Sequence, residues 1–548
     1  MSRNLFAQSA LAEIPKILTL MDRNPHSPTY GCGDRNFWQY KIIDFPSGMS
    51  QEFALPLALA YHLDLPDNPF YQQPAMRDWA IAAMHYAATS AHSDGACDDY
   101  FPFERASGAA AFSLYAFLES YRLLELQDEG LLRFFDRRAT WLAEHRESGQ
   151  LANHEALIVL CLQLLGELQQ TTRWQPQQSQ RLERLLSWQS PEGWFQEYGG
   201  FDPGYHTLTI SCLARLQSLQ PRDDVRKILI QAVDLAAQFV HPDGSFGGEY
   251  GSRNTYNFFP HGFELVGQWY PPALSVNDAF LTGLAQGKQP CYADDHIVGH
   301  HVWNYLLAWQ DFVRDRPLPP SRPTGQFWLQ QAGILIDRRA DTELYIALNK
   351  GGVFKLFRQG ELVLSDTQLS VQVRQGGKVK NAVGHLLADY EFEVEAAQIM
   401  IRGRMGWAKQ TQMTPLKLLV LRFVNLTLGR FSPNLVRSLL QKVLITGKQQ
   451  APLQFLRQLT WQEGQWYVTD ELRAESWPAV ESVGISGHQT SIYVVVSRVF
   501  QAGQLQPWLD VSDRLPTLAP GQTLTIHRPL KSTRSEERRV REKCRYRG

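Results

Sequence analysis

Two stretches decide the reading of this chain: HEALIVLCLQLL, beginning at His154, and YHTLTISCLARL, beginning at Tyr205. Leu157 aligns with Leu208, Val159 with Ile210, Cys161 with Cys212, Leu162 with Leu213 and Leu165 with Leu216, all at an offset of 51 residues. Each stretch is apolar at helical spacing, and the first is apolar nearly all round, as a helix packed on several sides would be. The register sets two equivalent helix starts side by side. One carries Asn153 and His154, the other Tyr205 and His206. Titratable groups at the mouths of apolar helices point to a site, whereas a core would be apolar there too.

The helical pattern extends outward from these stretches, from about residue 50 to residue 313, and its turns repeat. SDGACDDYFPFERA begins at Ser93, ESGQLANH at Glu147, PEGWFQEYGGFDPGYH at Pro191 and PDGSFGGEYGSRNTYNFFPH at Pro242. The turn glycines fall at 95, 149, 193 and 244, a period near fifty residues, which is one helical hairpin per repeat. A lone hairpin cannot bury its apolar face, so stacking or ring closure is required. The helix starts and loops of one rim then supply Arg105, Asn153, His154, Tyr205, His206, Arg253, His261, His300 and His301, with the aromatic residues Trp38 and Trp194 as candidate faces for stacking on a ligand.

RDRPLPPSRPTG, Arg314 to Gly325, reads as a stiff linker. Beyond it, short alternating segments such as ELYIALN, VFKLFRQGELVL, LSVQVRQ and QTLTIHR predict an antiparallel β-sandwich over 326–530. Two apolar helical segments interrupt it between 414 and 446. The fold class expected is therefore an (α/α) toroid of helical hairpins over 1–313 followed by a β-sandwich.

At 548 residues the chain is too long for one core. Charged residues make up 20%, and no window approaches 18 uninterrupted apolar residues. The start, MSRNLFAQSALAEIPKILTLMDRN, lacks a basic region followed by a clean apolar run, so no secretory signal is read. The six cysteines at 32, 97, 161, 212, 291 and 544 form no CxxC, and a reducing cytoplasm is the expectation. The last eighteen residues, KSTRSEERRVREKCRYRG, follow a strand-like segment abruptly. They read as a non-native tail and are set aside. With that tail removed, the net charge of the body is −6, against −1 for the whole chain. From Ala396 to Gln462 there are ten Lys or Arg and no acidic residue, a stretch that suits peripheral contact with an anionic membrane surface or a solvated rim. No nucleic-acid partner is expected, and the oligomeric state is open.

Hairpins at this period, the ANHEAL helix start around His154, the EGWFQEYGGFDPGYH segment running through Tyr205 to His206, and a following β-domain together resemble the heparinase II/III-like polysaccharide lyases. The resemblance implies an (α/α) toroid with a C-terminal β-domain, a carbon–oxygen lyase acting on an acidic, uronate-containing polysaccharide, and chemical roles for Asn153, His154 and Tyr205. It implies no cofactor, and no structural metal is predicted. A further histidine is expected, with His261, His300, His301 and His385 as candidates.

The chemistry has three requirements: the uronate carboxylate must be neutralised, the C5 proton removed and the O4 leaving group protonated. Asn153 with Arg105 or Arg253 suits the first. Tyr205 suits the base, supported by His154. The same groups run in reverse would give a C5-epimerase, and a glycan-binding protein of a biosynthetic pathway is a further alternative. Asp98, Asp99, Glu197 and Asp202 offer a carboxylate pair for a toroid glycoside hydrolase. The Asp294, Asp295, His296, His300, His301 run has metal-like spacing, but it coincides with the next helix start of the repeat.

Overall fold

The computed structural model describes residues 2–147, 149–292, 295–318, 320–408, 412–432, 436, 449–485, 487, 497–499, 505–506, 508–519 and 521–530. The tail from 531 lies outside the described residues, as does most of the second apolar segment expected within 414–446. In chain order the N-terminal half contains α1 (Asn4–Leu20), α2 (Arg35–Trp38), α3 (Ala54–His62), α4 (Pro74–Ser90), α5 (Ser107–Leu123), α6 (Glu129–Glu144) and α7 (Ala152–Leu168). It continues with α8 (Gln175–Leu186), α9 (Pro203–Leu219), α10 (Asp223–Gln238), α11 (His261–Gly267), α12 (Pro272–Ala285) and α13 (Val298–Gln310).

The odd-numbered helices from α3 to α13 touch in cyclic order, and α13 returns to α3, so the inner ring closes. Helices α4, α6, α8, α10 and α12 back their inner neighbours, and α1 backs α13. The apolar patterns explain this division. In α5 and α9 nearly every residue is buried, while α6, α8 and α10 bury one stripe only. The first helix is a difference from the sequence reading, which began the helices near residue 50. Phe6, Ala10, Ile14 and Ile17 of α1 are buried and complete the outer layer over α13.

The turn glycines 95, 149, 193 and 244 all have positive φ, between 79° and 98°, and each leads from an outer helix into the next inner one. Their repeat keeps the N-termini of the inner helices on one rim.

The last ring helix ends at Gln310, and the first long strand begins at Gly325. The intervening proline-rich segment is tied down at both ends. Arg316 makes hydrogen bonds to Glu264 and Asp278, and Arg322 to Glu343 and the Val240 carbonyl. Strands Gly325–Leu329, Ile334–Arg339, Thr342–Ala347, Val353–Arg358 and Glu361–Asp366 pair antiparallel in that order. A second antiparallel sheet is built around Leu369–Gln375, Lys378–Val383, Gln398–Ala408, Gln450–Gln462, Gln465–Ala474 and Thr523–Pro529.

The five-stranded sheet is buried on both faces. Ile334, Ile336, Tyr345 and Ala347 join the core of the helical ring, while Leu335, Leu344 and Ile346 join the core of the second sheet. The period of two splits each strand between two cores, so the layers run ring, sheet, sheet. Among the described residues, no helix is long and apolar enough to cross a membrane.

Candidate active site

The cap of α9 sets the position of the phenol. Asp202 accepts a hydrogen bond from the Tyr205 backbone N–H at 3.1 Å, and Pro203 occupies the first helical turn. Tyr205 is thus the third residue of α9, as His154 is the third of α7. Gly204 lies between cap and phenol. A Cβ there would fall 2.2 Å from Thr255 Oγ1, so only glycine lets the 251–257 loop close over the helix start. The other carboxylate oxygen of Asp202 accepts the Arg253 backbone N–H at 3.0 Å. One capping aspartate therefore fixes both Tyr205 and the loop that carries Arg253.

The Arg253 guanidinium lies 4.4 Å from the centre of the Tyr205 ring and 4.9 Å from that of Tyr198. It also stands 3.7 Å from Glu197. Glu197 is delivered by a short bridge between residues 196–198 and 150–152, in which Leu151 pairs with Glu197 and the Tyr198 N–H reaches the Gln150 carbonyl. Its carboxylate accepts two hydrogen bonds from Asn153, from the backbone N–H at 3.0 Å and the side-chain amide at 2.7 Å. Asn153, Glu197, Arg253 and Tyr205 thus form one continuous chain, buried except for the partly exposed Arg253. His154 stands beside Asn153. Its Nδ1 is 2.8 Å from Glu147, and its ring lies over Gly108 at the start of α5, where a Cβ would meet Nε2 at 2.8 Å.

Burial pushes the Tyr205 phenol up to about 12 despite the opposing pull of Arg253. Burial likewise lifts the Glu197 carboxyl to about 7, opposed by Arg253 and by the hydrogen bonds from Asn153. This has a stability consequence. A carboxyl whose folded value lies above its ordinary 4.5 holds its proton more tightly folded than unfolded. That contribution is fully present below the ordinary value and is lost as pH rises through about 7, and it amounts to about 3 kcal/mol. Denaturant unfolding of wild type and Glu197→Gln at pH 5 and pH 8 should show a steeper loss in wild type. Identical slopes would rule this linkage out.

The other expected residues have different surroundings. His206 turns inward, donates from Nε2 to the Ala232 carbonyl at 2.9 Å, and is pushed by burial down to about 4, so it packs as core between α9 and α10. His261 pairs with Asp311 at 2.7 Å, and its backbone is held by Asn304. His301 stacks on Phe259 at 4.7 Å. His385 binds the Thr367 carbonyl in the β-domain. Trp38 is anchored to the Leu20 carbonyl. Trp194 binds Glu192, whose carboxylate also holds the backbone of Gln331 and Ala332. Arg105 is paired with Asp94 on its own turn.

Among the candidates for a further histidine, His300 is linked to His154 through Phe112. It pairs with Glu52 at 3.0 Å, and its ring packs 4.6 Å from Phe112, whose edge meets His154. His296 bonds to Ser50, Asp294 lies outside the described residues, and among the described residues no group of three or more His, Cys, Asp or Glu is placed to hold a metal ion. The carboxylate-pair alternative loses Asp202 to capping, Asp98 to His92 and the Phe103 and Arg105 backbone, and Asp99 to Ser47 and Met49. Glu147 is not singled out by the sequence, and Tyr198 is read there only as an aromatic residue near a rim. Glu147 lies in a repeat turn and Tyr198 in the acidic one, but the helical register marks neither.

No family model and no curated protein matches the chain. Solved structures do. A chondroitin AC lyase from Streptomyces coelicolor A3, solved with chondroitin sulphate, aligns with a TM-score of 0.53 at 10% identity over 88% of this chain and 67% of its own. A heparinase III aligns with 0.41 at 9% over 87% and 71%, and a Paenibacillus xanthan lyase with 0.46 at 10% over 96% and 57%. By fold, this chain is a closed (α/α) toroid with antiparallel β-sheets of the chondroitin AC lyase kind.

Proposed function

We propose that the chain is a polysaccharide lyase that cleaves an acidic, uronate-containing polysaccharide by C5-proton removal and β-elimination. The observation that carries the reading is the guanidinium of Arg253 stacked on the Tyr205 phenol, linked through Glu197 to Asn153 beside His154. The Arg253 side chain keeps 12% of its surface exposed, and it is this guanidinium that we assign to the uronate carboxylate. Asn153 is fully buried, with its backbone N–H and side-chain amide both turned to Glu197, so we assign neutralisation of the uronate to Arg253 and to Asn153 the holding of Glu197 in place.

We assign the proton transfers differently from the sequence expectation. Tyr205, pushed up to about 12, is protonated at neutral pH and serves as the acid. With Nδ1–H donated to Glu147, His154 Nε2 keeps its lone pair and serves as the base. His154 takes the C5 proton and the freed pair forms the C4=C5 double bond. The C4–O4 bond breaks, and O4 takes the Tyr205 proton. Solvent then returns a proton from His154 to the phenolate.

The test is a panel of uronate-containing polysaccharides, chondroitin sulphate among them, assayed for the ultraviolet absorbance of an unsaturated product. Absorbance on at least one supports the lyase. Deuterium entering C5 from heavy water without absorbance would replace elimination by epimerisation. Silence in both assays across the panel would overturn the reading.

A further inference from the structure

A fourteenth helix, α14 (Pro415–Val424), leaves the β-domain between strands Gln398–Ala408 and Gln450–Gln462. Thr414 caps it by accepting the Lys417 N–H, Pro415 starts it, and it runs on through Asn425–Gly429. Its apolar stripe faces the wrong way for a core. Leu416, Leu419, Val420, Phe423 and Leu426 recur at helical spacing and are 71%, 68%, 55%, 68% and 55% exposed, and Phe431 just beyond is 83% exposed. No residue of α14 is buried. The opposite side meets the protein: Arg422 pairs with Asp44 at 2.9 Å and lies over Phe45, and Asn425 is buried. The helix is thus held by one polar edge while its aliphatic stripe projects into solvent. Soluble proteins rarely expose such a contiguous stripe without a partner.

We propose that α14 is an interfacial helix that docks this protein on an anionic lipid bilayer. Charge selects the occupant. Between Glu395 and Glu463 there is no acidic residue, and Lys417 and Arg430 flank the stripe. A second copy of the chain would set these cations against themselves, whereas a surface of anionic headgroups complements them. A glycan is a poor fit to a stripe that is mainly leucine and valine, because sugar rings stack on aromatic faces. Pro415 to Gly429 spans about 22 Å as a helix, short of the roughly 30 Å hydrocarbon core, so the helix lies along the surface with its leucines in the acyl boundary.

The test is flotation of the full chain with phosphatidylcholine vesicles, with and without phosphatidylglycerol. The chain should float with the anionic vesicles only, and added salt should weaken the association. Leu416→Glu with Leu419→Glu and Phe423→Glu should abolish flotation. Lys417→Gln with Arg430→Gln should weaken it about 25-fold, near fivefold per cation. Neither set touches the active-site cluster, so unchanged thermal unfolding certifies the fold in each variant. Wild type remaining unbound to anionic vesicles would overturn the proposal. Equal flotation of wild type and the triple variant would do the same. A concentration-dependent dimer in ultracentrifugation that the triple variant loses would reassign the stripe to a second copy and overturn it too.

Discussion

Tyr205→Phe should lose about 10²–10⁴ in turnover on any uronate polymer that wild type cleaves, with its unfolding transition unmoved to within about 1 kcal/mol. Only one oxygen is removed. Among the described contacts the Tyr205 hydroxyl holds no other part of the fold, because the cap that fixes the residue uses its backbone N–H. The ring remains beneath the Arg253 guanidinium, so the stacking survives. What disappears is the proton that O4 must receive as the C4–O4 bond breaks. The deficit therefore belongs in kcat, with KM little changed, since the phenol acts on charge that develops only in the transition state. A polymer with a better leaving group at O4 should recover part of the loss. An active Tyr205→Phe enzyme would remove Tyr205 from the chemistry. A variant that is inactive because it is unfolded would show it in the melt.

The helix register explains why the two ends of this site were readable in the chain. Residues 154 and 205 share a frame because the apolar residues behind them obey one helical period, and a repeat fixes depth along the ring axis as well as identity. The middle of the site was not readable in that way. Glu197 and Arg253 belong to turns that lead into inner helices, and turn conformation depends on partners far away in sequence. Glu197 is placed by a bridge to residues 150–152, and Arg253 by the capping carboxylate of Asp202. The sequence marked that carboxylate and Glu197 as candidates for a carboxylate pair, whereas the structure uses one as a cap and sets the other between Asn153 and Arg253. His206 misled for a related reason. Adjacent residues on a helix point about 100° apart, so a histidine next to the phenol belongs to the face packed on α10. The sheets show the same limit. Alternation predicted strands, but it did not reveal that the first sheet has apolar partners on both faces and is covered by the ring.

Arg253→Met should damage both stability and activity. The guanidinium is the cation facing the buried Glu197 carboxylate and the one stacked on Tyr205. Its removal leaves a charge without its partner, which costs about 3–5 kcal/mol for a buried pair. Here the carboxyl has an escape. It already sits near 7 with the arginine present, and without it the value rises further, so at pH 5 the group is neutral and most of the penalty vanishes. Unfolding of Arg253→Met should therefore be much more destabilised at pH 8 than at pH 5. Adding Glu197→Gln removes the orphaned charge, keeps a carbonyl acceptor for Asn153, and should return most of the stability lost at pH 8. Activity should not return, because the donor for the uronate carboxylate and the cation at the phenol are both still missing. Stability and turnover then separate in the double variant, an outcome that simple misfolding of the site cannot produce. If the double variant were no more stable at pH 8 than Arg253→Met alone, the 3.7 Å contact between Arg253 and Glu197 would not be the interaction that holds this cluster together.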